Sequence, residues 1–469
     1  MAAALRADPN QPLDRAFTLR NAEPFLLERE YHRLLQGDGP RSYIFPRACF
    51  SALDSSRVCS EAGHWRYQDD SRHRTLATSP VGGYEYRYLR ENMHAVDFGL
   101  EASGYSGPLS FYLDARMFSE MHEDPFHASF DREFVERQDE EASGAVAYTS
   151  YSRFRTNLSY DWSWGRLTAA RDAAHWGPGL FTNLVFHQDA VPFNQLTFTT
   201  YLGPLSVQSL YGQLALDTNW AYDTSSDFRS VYAHRYELRA GRNLVFGISE
   251  QLILHKHEAP FAFIPIIPLY VAKAGEKERL NNGNIAGDFS WRLPGWGAVY
   301  SEFLIDDMQS PTALFNDKWG NKWAWMAGFH LVRELRGRPA GLVAEYARVE
   351  PWVYTHYLPR TSQTANFNFP LGNQQGPNSQ TLIAKAYVRD KTWYAGLAVE
   401  ALWKGTDLGS SVLDLHPDNV EKKVFLLGVE EPELGVSPYV SYAWGPVRLY
   451  AQVRMRSRME WVVGSQASY

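Results

Sequence analysis

Only two of the 469 residues are cysteine, Cys49 and Cys59. That scarcity excludes a disulfide-stapled scaffold and a cysteine-rich metal domain. Two cysteines this close in sequence fit one local disulfide in an oxidising periplasm; two unrelated buried thiols are the alternative. Long hydrophobic runs are also missing. No stretch reaches the ~20 apolar residues of a spanning helix. The longest apolar run, Ala259 to Ala274, carries Pro260, Pro265, Pro268 and Lys273, which forbid a continuous buried helix. The chain therefore crosses a membrane as strands or does not cross one. A basic surplus is absent too: the net charge is −7, which argues against a nucleic-acid partner. The first residues lack a secretory apolar segment. The chain is then either cytoplasmic or has had such a segment removed, and the export that the rest of the sequence calls for favours removal.

Catalytic motifs are lacking as well. There is no G-x-S-x-G elbow, no phosphate-binding loop, no H-E-x-x-H and no C-x-x-C. With 53 carboxylates, some glycosidase-like pair is always conceivable, but spacing does not single one out. The expectation is a protein that is not an enzyme and needs neither cofactor nor metal. His122-Glu-Asp124, His127 and Asp139-Glu-Glu141 offer metal-ligating atoms, but their spacing matches no loop signature and suits a solvated surface loop.

Aromatic residues, by contrast, are abundant: 27 Tyr, 26 Phe and 15 Trp, 14% of the chain. That content suits the two aromatic girdles of a membrane barrel. From Tyr84 onward the sequence alternates with period two. Tyr84, Tyr86 and Tyr88 share one face, and Glu85 and Arg87 the other. Leu109, Phe111, Leu113, Ala115 and Met117 alternate with Ser110, Tyr112, Asp114 and Arg116. Near the end Val447, Leu449, Ala451, Val453 and Met455 oppose Arg448, Tyr450, Gln452, Arg454 and Arg456. Successive arginines on one face cannot sit in a dry core, since each unpaired buried charge costs several kcal/mol. They fit a barrel wall, so Arg448, Arg454 and Arg456 are expected to face a wet lumen.

The connections give an independent signal. Tight Gly- and Pro-bearing turns such as Gly203-Pro204, Ala240 to Asn243, Pro294 to Gly297 and Arg336 to Pro339 alternate with long polar loops. The long loops fall near 119–144, 171–195, 217–229, 274–283, 307–321, 350–379 and 404–421. Short turns at one end and long loops at the other is the membrane-barrel pattern, and about 16 to 20 strands can be counted. No repeat of propeller length is present. Residues 1–80 differ. Leu27, Tyr31, Leu34 and Leu35 lie at helical spacing after Pro24, before Gly37, Gly39 and Pro40 stop the helix. The expected division is a helical or irregular periplasmic region, 1–80, and an all-β antiparallel barrel, 81–469.

Three segments carry candidate ligand-binding residues. Arg171, Asp172, His175 and Trp176 sit beside the sharp break Gly177-Pro-Gly179. Arg and Asp can bond sugar hydroxyls, and Trp can cover a ring face; equally, the segment can be a fold-defining loop with a packed Trp. Asn282 and Asn284, followed by Asp306 and Asp307, offer hydrogen bonds to sugar hydroxyls, although Asn-Asn-Gly is also ordinary loop chemistry. Trp319, Trp323 and Trp325, mixed with Asn, Asp and Lys, suit a sugar platform at a barrel mouth or an interfacial girdle.

At these segments the chain resembles the capsule assembly Wzi family of outer-membrane proteins. The carrying residues are Arg171-Asp172 with Trp176-Gly-Pro-Gly179, His234 to Arg239 running into Asn243 to Glu250, and Asn284 to Pro294 before Tyr300, Glu302 and Asp306-Asp307. The resemblance spans roughly 145–330. It implies a barrel of about eighteen strands with an N-terminal helical region at the periplasmic end. It also implies a lectin-like role in holding capsular polysaccharide at the surface of a Gram-negative cell, and it carries over no catalytic residues. The expected partners are surface polysaccharide, the outer-membrane bilayer with its lipopolysaccharide, and other outer-membrane proteins. A porin-like channel for oligosaccharides and a scaffold subunit of a larger complex are the alternatives; bilayer conductance separates the first of these from a plugged lectin.

Overall fold

The structure is a computed structural model. It describes residues 48–51, 56–61, 64–69, 74–88, 92–122, 147–215 and 229–468, the last stretch with gaps at 256–259, 266–267, 270–280, 295, 358–361, 368, 391, 418–419, 430–431, 445–446 and 456–458. The helical segment expected around 23–35 and the acidic loop 123–146 lie outside the described residues.

Eighteen antiparallel strands close on themselves. In chain order they are β1 (Arg74–Tyr88), β2 (Asn92–Ser106), β3 (Leu109–His122), β4 (Ala147–Trp162), β5 (Gly165–Asp172), β6 (Phe193–Leu202), β7 (Leu205–Leu214), β8 (Arg229–Ala240), β9 (Leu244–His255), β10 (Asn281–Leu293), β11 (Gly297–Asp307), β12 (Lys322–Leu335), β13 (Arg338–Val349), β14 (Ser379–Arg389), β15 (Trp393–Lys404), β16 (Glu433–Trp444), β17 (Val447–Met455) and β18 (Met459–Ser468). Each pairs with the next, and β18 returns to β1 with Trp461 opposite Tyr88 and Ser468 opposite Val81. Closure leaves the wall without a free edge.

The hairpins explain the alternation of connections. Leu335 pairs with Arg338, so Arg336 and Gly337 form a two-residue loop. Both have positive φ, 53° and 75°. That is the mirror-image turn whose twist matches the flanking strands. All eight connections at this end are short: 107–108, 163–164, 203–204, 241–243, 294–296, 336–337, 390–392 and 445–446. The opposite end carries the long loops, with short links only at 89–91 and 456–458, beside the closing seam.

Burial runs opposite to that of a soluble protein. Phe98 is 59% exposed and its cross-strand partner Met117 55%, while Arg116, next to Met117 on the opposite face, is 9% exposed and bonded to Asp97, Asp114 and Glu101. Ile248, Leu397, Val440 and Val463 are exposed on the wall, whereas Glu120, Asp288, Glu302 and Glu345 are buried. The apolar side faces outward and the ionic side inward, as a bilayer outside and a polar lumen inside require. On β17, Leu449 is exposed and Tyr450 donates to Glu85 Oε2 at 2.5 Å. The side chains of Arg448, Arg454 and Arg456 lie outside the described residues.

The N-terminal region corrects one expectation. Its described part is not helical or irregular: Ala48–Ser51, Ser56–Glu61 and His64–Asp69 form three strands that continue the sheet onto the Arg74–Thr78 half of β1. Val58, Trp65 and Tyr67 favour strand, and their signal was masked by the surrounding Ser, Arg and His. The boundary placed after residue 80 therefore falls inside β1. These strands lie at the short-turn end, and their register sets Cys49 opposite Cys59.

Candidate functional site

Two of the long loops do not stay outside the barrel. Residues 173–192 and the described part of 350–378 fold into it and pack on each other. Trp176, Leu184, Val185, Phe186, Val353, Tyr354 and Leu371 form one buried apolar cluster with the inward residues Leu210, Val231, Ile253, Leu304 and Met326 of the wall. Trp176 meets Phe186 edge-to-face at 5.0 Å. A lumen lined by charges has thus acquired a dry plug packed on the inward side of β7 to β13.

Inward carboxylates on the wall hold that plug by its backbone. Glu345 of β13 accepts the N–H groups of Leu180 and Phe181 at 2.5 and 3.0 Å, and the hydroxyls of Thr182 and Tyr300 at 2.7 Å each. Glu302 of β11 accepts Leu184 N–H at 2.8 Å. Asp306 accepts Tyr354 N–H at 2.9 Å. The two loops are joined directly: Tyr354 donates to Leu184 O at 2.8 Å, and Asn366 to Val191 O at 3.0 Å. Loop backbone buried away from water must find such partners, and bonds to carboxylates are the strong kind.

The plug also holds unusual backbone. Trp352, Tyr354 and Phe367 have φ of 72°, 68° and 52°. Bulky residues avoid this region, and it persists only where the surroundings over-determine it. Gly177 has φ +103°, and a Cβ there would stand 2.7 Å from Asn183 Oδ1 and 2.9 Å from Glu302 Oε2. The Gly-Pro-Gly break is the place where the first loop turns under the wall carboxylate.

Between the plug and the short-turn end the lumen keeps a cavity of about 160 Å³. Arg155, Thr168, Gln188, Gln195, Thr199 and Gln208 line it. At the long-loop end, 308–321 and the described part of 405–429 meet in a canopy. Trp319 stacks on His416 at 3.7 Å, and His416 meets Trp352 at 5.1 Å. The exposed pair Lys422–Asp317 closes at 2.8 Å, and Lys423 bonds Glu350 at 2.8 Å. Burial pushes the Lys423 ammonium below its usual range, against the opposing pull of Glu350.

The sequence-expected residues separate into different places. Asp172 is buried at the end of β5, lines the cavity and accepts Ala173 N–H at 2.9 Å. Arg171 has the strand register of the exposed Leu167, not that of Asp172, so the two are not side by side on one face. His175 opens on the cavity, and desolvation, with lesser contributions from His187 and Arg235, pushes it down to about 3. Trp176 is packed inside the plug, 3% exposed, and only borders the cavity. Asn282 and Asn284 point inward; Asn284 donates to Gln251 Oε1 at 2.8 Å, and Asn282 reaches Thr355 O at 3.4 Å. Asp306 holds the plug, while Asp307 is exposed and caps Met308 N–H at 2.9 Å. Trp323 and Trp325 are on the outer face beside Phe303, Phe315 and Tyr346, as an interfacial girdle requires. Trp319 stands in the canopy itself, and Trp323 meets its edge at Phe315, 5.4 Å away.

Several residues of this arrangement carried no strong signal. Glu345 stands in Gly341-Leu-Val-Ala-Glu345, a lone carboxylate in an apolar strand, and that contrast was the available clue. Arg155 and Gln188 look unremarkable in sequence, because only the closed wall brings β4 and the plug together.

The model of the family described as capsule assembly protein Wzi matches residues 81–389. Among solved structures, the fold is similar to that of Wzi from Escherichia coli, described as an outer membrane protein involved in group 1 capsule assembly and a carbohydrate-binding β-barrel. The TM-score is 0.53 and the identity 12%, over 84% of each chain. OccAB2 of Acinetobacter baumannii matches with a TM-score of 0.45 and 9% identity, over 84% of this chain and 98% of that one. A BenF-like porin from Pseudomonas fluorescens Pf-5 matches with a TM-score of 0.43 and 9% identity, over 84% and 99%. No curated protein matches the chain.

Proposed function

The chain belongs to the family of the capsule assembly protein Wzi, and from that premise we propose that it binds and organises capsular-type polysaccharide at the Gram-negative outer membrane. The role is lectin-like: recognition without a catalytic step. A barrel whose apolar face is exposed all round the wall is at home in a bilayer. The solved relative described as a carbohydrate-binding barrel supports a glycan as the ligand.

The observation that carries the reading is the plug. A wide channel keeps its lumen wet, and here the apolar cluster of Trp176, Leu184, Phe186, Tyr354 and Leu371 fills the lumen against β7 to β13. What remains open to ligand is polar surface on either side of the plug: the Gln- and Thr-rich cavity below and the canopy around Trp319 above. Amide and hydroxyl groups can donate and accept, which is the chemistry a polyhydroxylated ligand needs. Lipopolysaccharide against the outer girdle and neighbouring outer-membrane proteins are the further partners of this reading.

The test uses the folded full chain in detergent and in planar bilayers. Capsular polysaccharide immobilised on a surface should retain the protein, while current through the reconstituted barrel should stay near baseline. Porin-like conductance with no polysaccharide retention would reverse the assignment in favour of a channel.

A further inference from the structure

The cavity beneath the plug has a chemical character of its own. Its lining reaches from Ala174 and Trp176 of the plug to Tyr201 and Ser206 beside the 203–204 turn. The plug covers it on the long-loop side, so a ligand reaches it from the short-turn side. Thr168, Thr199, Gln195 and Gln208 supply hydroxyl and amide groups, each both a donor and an acceptor.

Buried lining atoms without a hydrogen-bond partner include Gln188 Oε1 and Arg155 Nε, beside Arg235 Nε and Glu237 Oε1. Gln188 is 8% exposed and donates from Nε2 to Leu180 O at 2.9 Å, which fixes the amide; its Oε1 has no hydrogen-bond partner. Arg155 is engaged by no ion pair or hydrogen bond among the described residues, and its buried Nε is without a partner. The other cations of the lining are already matched. Arg166 holds Asp161 through two bonds of 2.7 Å, and Arg235 holds Asp288 at 2.6 and 3.0 Å. Of the lining acids, Glu237 lies 3.5 Å from Arg235, and Asp172 caps Ala173. Among the described residues Arg155 is therefore the lining arginine without a carboxylate partner, a planar fork suited to a carboxylate.

We propose that this cavity is a binding site for one acidic sugar residue of the uronic-acid class, entering from the short-turn side, with its carboxylate on Arg155 and a hydroxyl donating to Gln188 Oε1. The proposal rests on the polysaccharide-binding reading and gives it a site and a ligand class. Its hydroxyl contacts fall to Gln195, Thr199 and Gln208, and the plug gives the site its closed end.

The probes are a glucuronic-acid-containing disaccharide and its neutral glucose counterpart, titrated against the folded full chain in detergent. Heat-modifiable electrophoretic mobility certifies folding for every variant. The wild type should bind the acidic probe at least about tenfold tighter than the neutral one, as a charge-assisted contact implies. Arg155→Gln should remove that preference. Arg155→Lys should keep most of it, and Thr199→Val should weaken both probes alike. Equal binding of the two probes by the wild type, or an unchanged preference in Arg155→Gln, would overturn the site. If those variants still retain whole capsular polysaccharide, the site fails while the wider function stands. If the wild type retains no polysaccharide at all, the wider function fails with it.

Discussion

The carboxylate of Glu345 accepts the backbone N–H of Leu180 at 2.5 Å, across a sequence separation of 165 residues. A wall strand thus grips the loop that closes the barrel, and the same carboxylate takes three further donors. Removing it strands buried N–H groups, each costing about 1–3 kcal/mol. Glu345→Ala should therefore lower the melting temperature and release the plug. Single-channel recording should show current steps absent from the wild type. A silent, fully stable Glu345→Ala barrel would show that the plug is held by its apolar packing alone.

Gly177 is the second point of control. Its φ of +103° and its closeness to Glu302 exclude a side chain at no cost. Gly177→Ala should destabilise the folded barrel by about 1–3 kcal/mol. The loss should be read as faster proteolysis of the 173–192 loop and a lower melting temperature. Gly107 and Gly203 also have positive φ, but their Cβ positions meet nothing within 4 Å. Alanine at either should cost less than at Gly177, since only the backbone term remains.

These two examples mark what the sequence could and could not disclose. Alternation in segments such as Leu109 to Met117 is a local property, so the strands and the sidedness of their turns were legible residue by residue. The plug is not local: Glu345 meets Leu180, and Asp306 meets Tyr354, only after eighteen strands have closed. The Trp176-Gly-Pro-Gly179 segment stood out correctly as special. Sequence alone could not tell a packed Trp from one offered to a sugar, because burial is set by Phe186 and the opposite wall. Trp319, Trp323 and Trp325 looked like one cluster, yet strand parity turns Trp323 and Trp325 outward, and Trp319 precedes the strand. The apolar, proline-broken run after Ala259 gave no hint that Ala262 and Leu269 pack on the outside of the barrel.

The outer wall makes a prediction about lipid. Ile248 of β9 is 54% exposed on the apolar face, whereas Gln195 of β6 lines the lumen cavity. Ile248→Arg should cost about 2–4 kcal/mol if the site lies near the bilayer midplane. Gln195→Arg should be tolerated within about 1 kcal/mol by a polar lumen. Unfolding in urea, in vesicles of outer-membrane thickness, compares the two. Equal losses would contradict a lipid-facing wall.

Cys49 and Cys59 stand opposite each other on adjacent strands. Residues directly opposite in an antiparallel pair have Cα atoms ~4.5–5.5 Å apart, inside the range a disulfide bridges. Protein taken from an oxidising compartment should therefore contain no thiol that reacts with a maleimide before reduction, and two that react after it. Two reactive thiols in the unreduced, folded protein would leave the pair as free cysteines.

The last prediction concerns a polar pair on the wrong side of the wall. Glu250 has the strand register of the exposed Phe246 and Ile248, and His234 that of the exposed Leu238. Bare in lipid, an ionisable pair there would be costly. It is not bare. Residues 260–265 and 268–269 lie on this part of the outer wall, burying Ala262 and Leu269 against Tyr232, Leu252 and Leu254. Glu250 accepts Leu269 N–H at 2.9 Å and contacts His234 Nδ1 at 2.9 Å, while Tyr236 donates to Pro265 O at 2.5 Å. The described part of this strap opens with a 3-10 turn, Pro260–Phe263, before its fastenings at Pro265 and Leu269. Tyr236→Phe removes one fastening and leaves the pair covered, so it should mainly speed cleavage between His255 and Asn281. Glu250→Ala removes the acceptor for the strap and the partner of His234 together, so it should cost more stability than Tyr236→Phe and expose the strap as well. Limited proteolysis and melting in vesicles measure the two effects separately. If Glu250→Ala leaves cleavage and melting unchanged, the strap is held by its apolar contacts with Leu252 and Leu254, and the pair plays no part in fastening it.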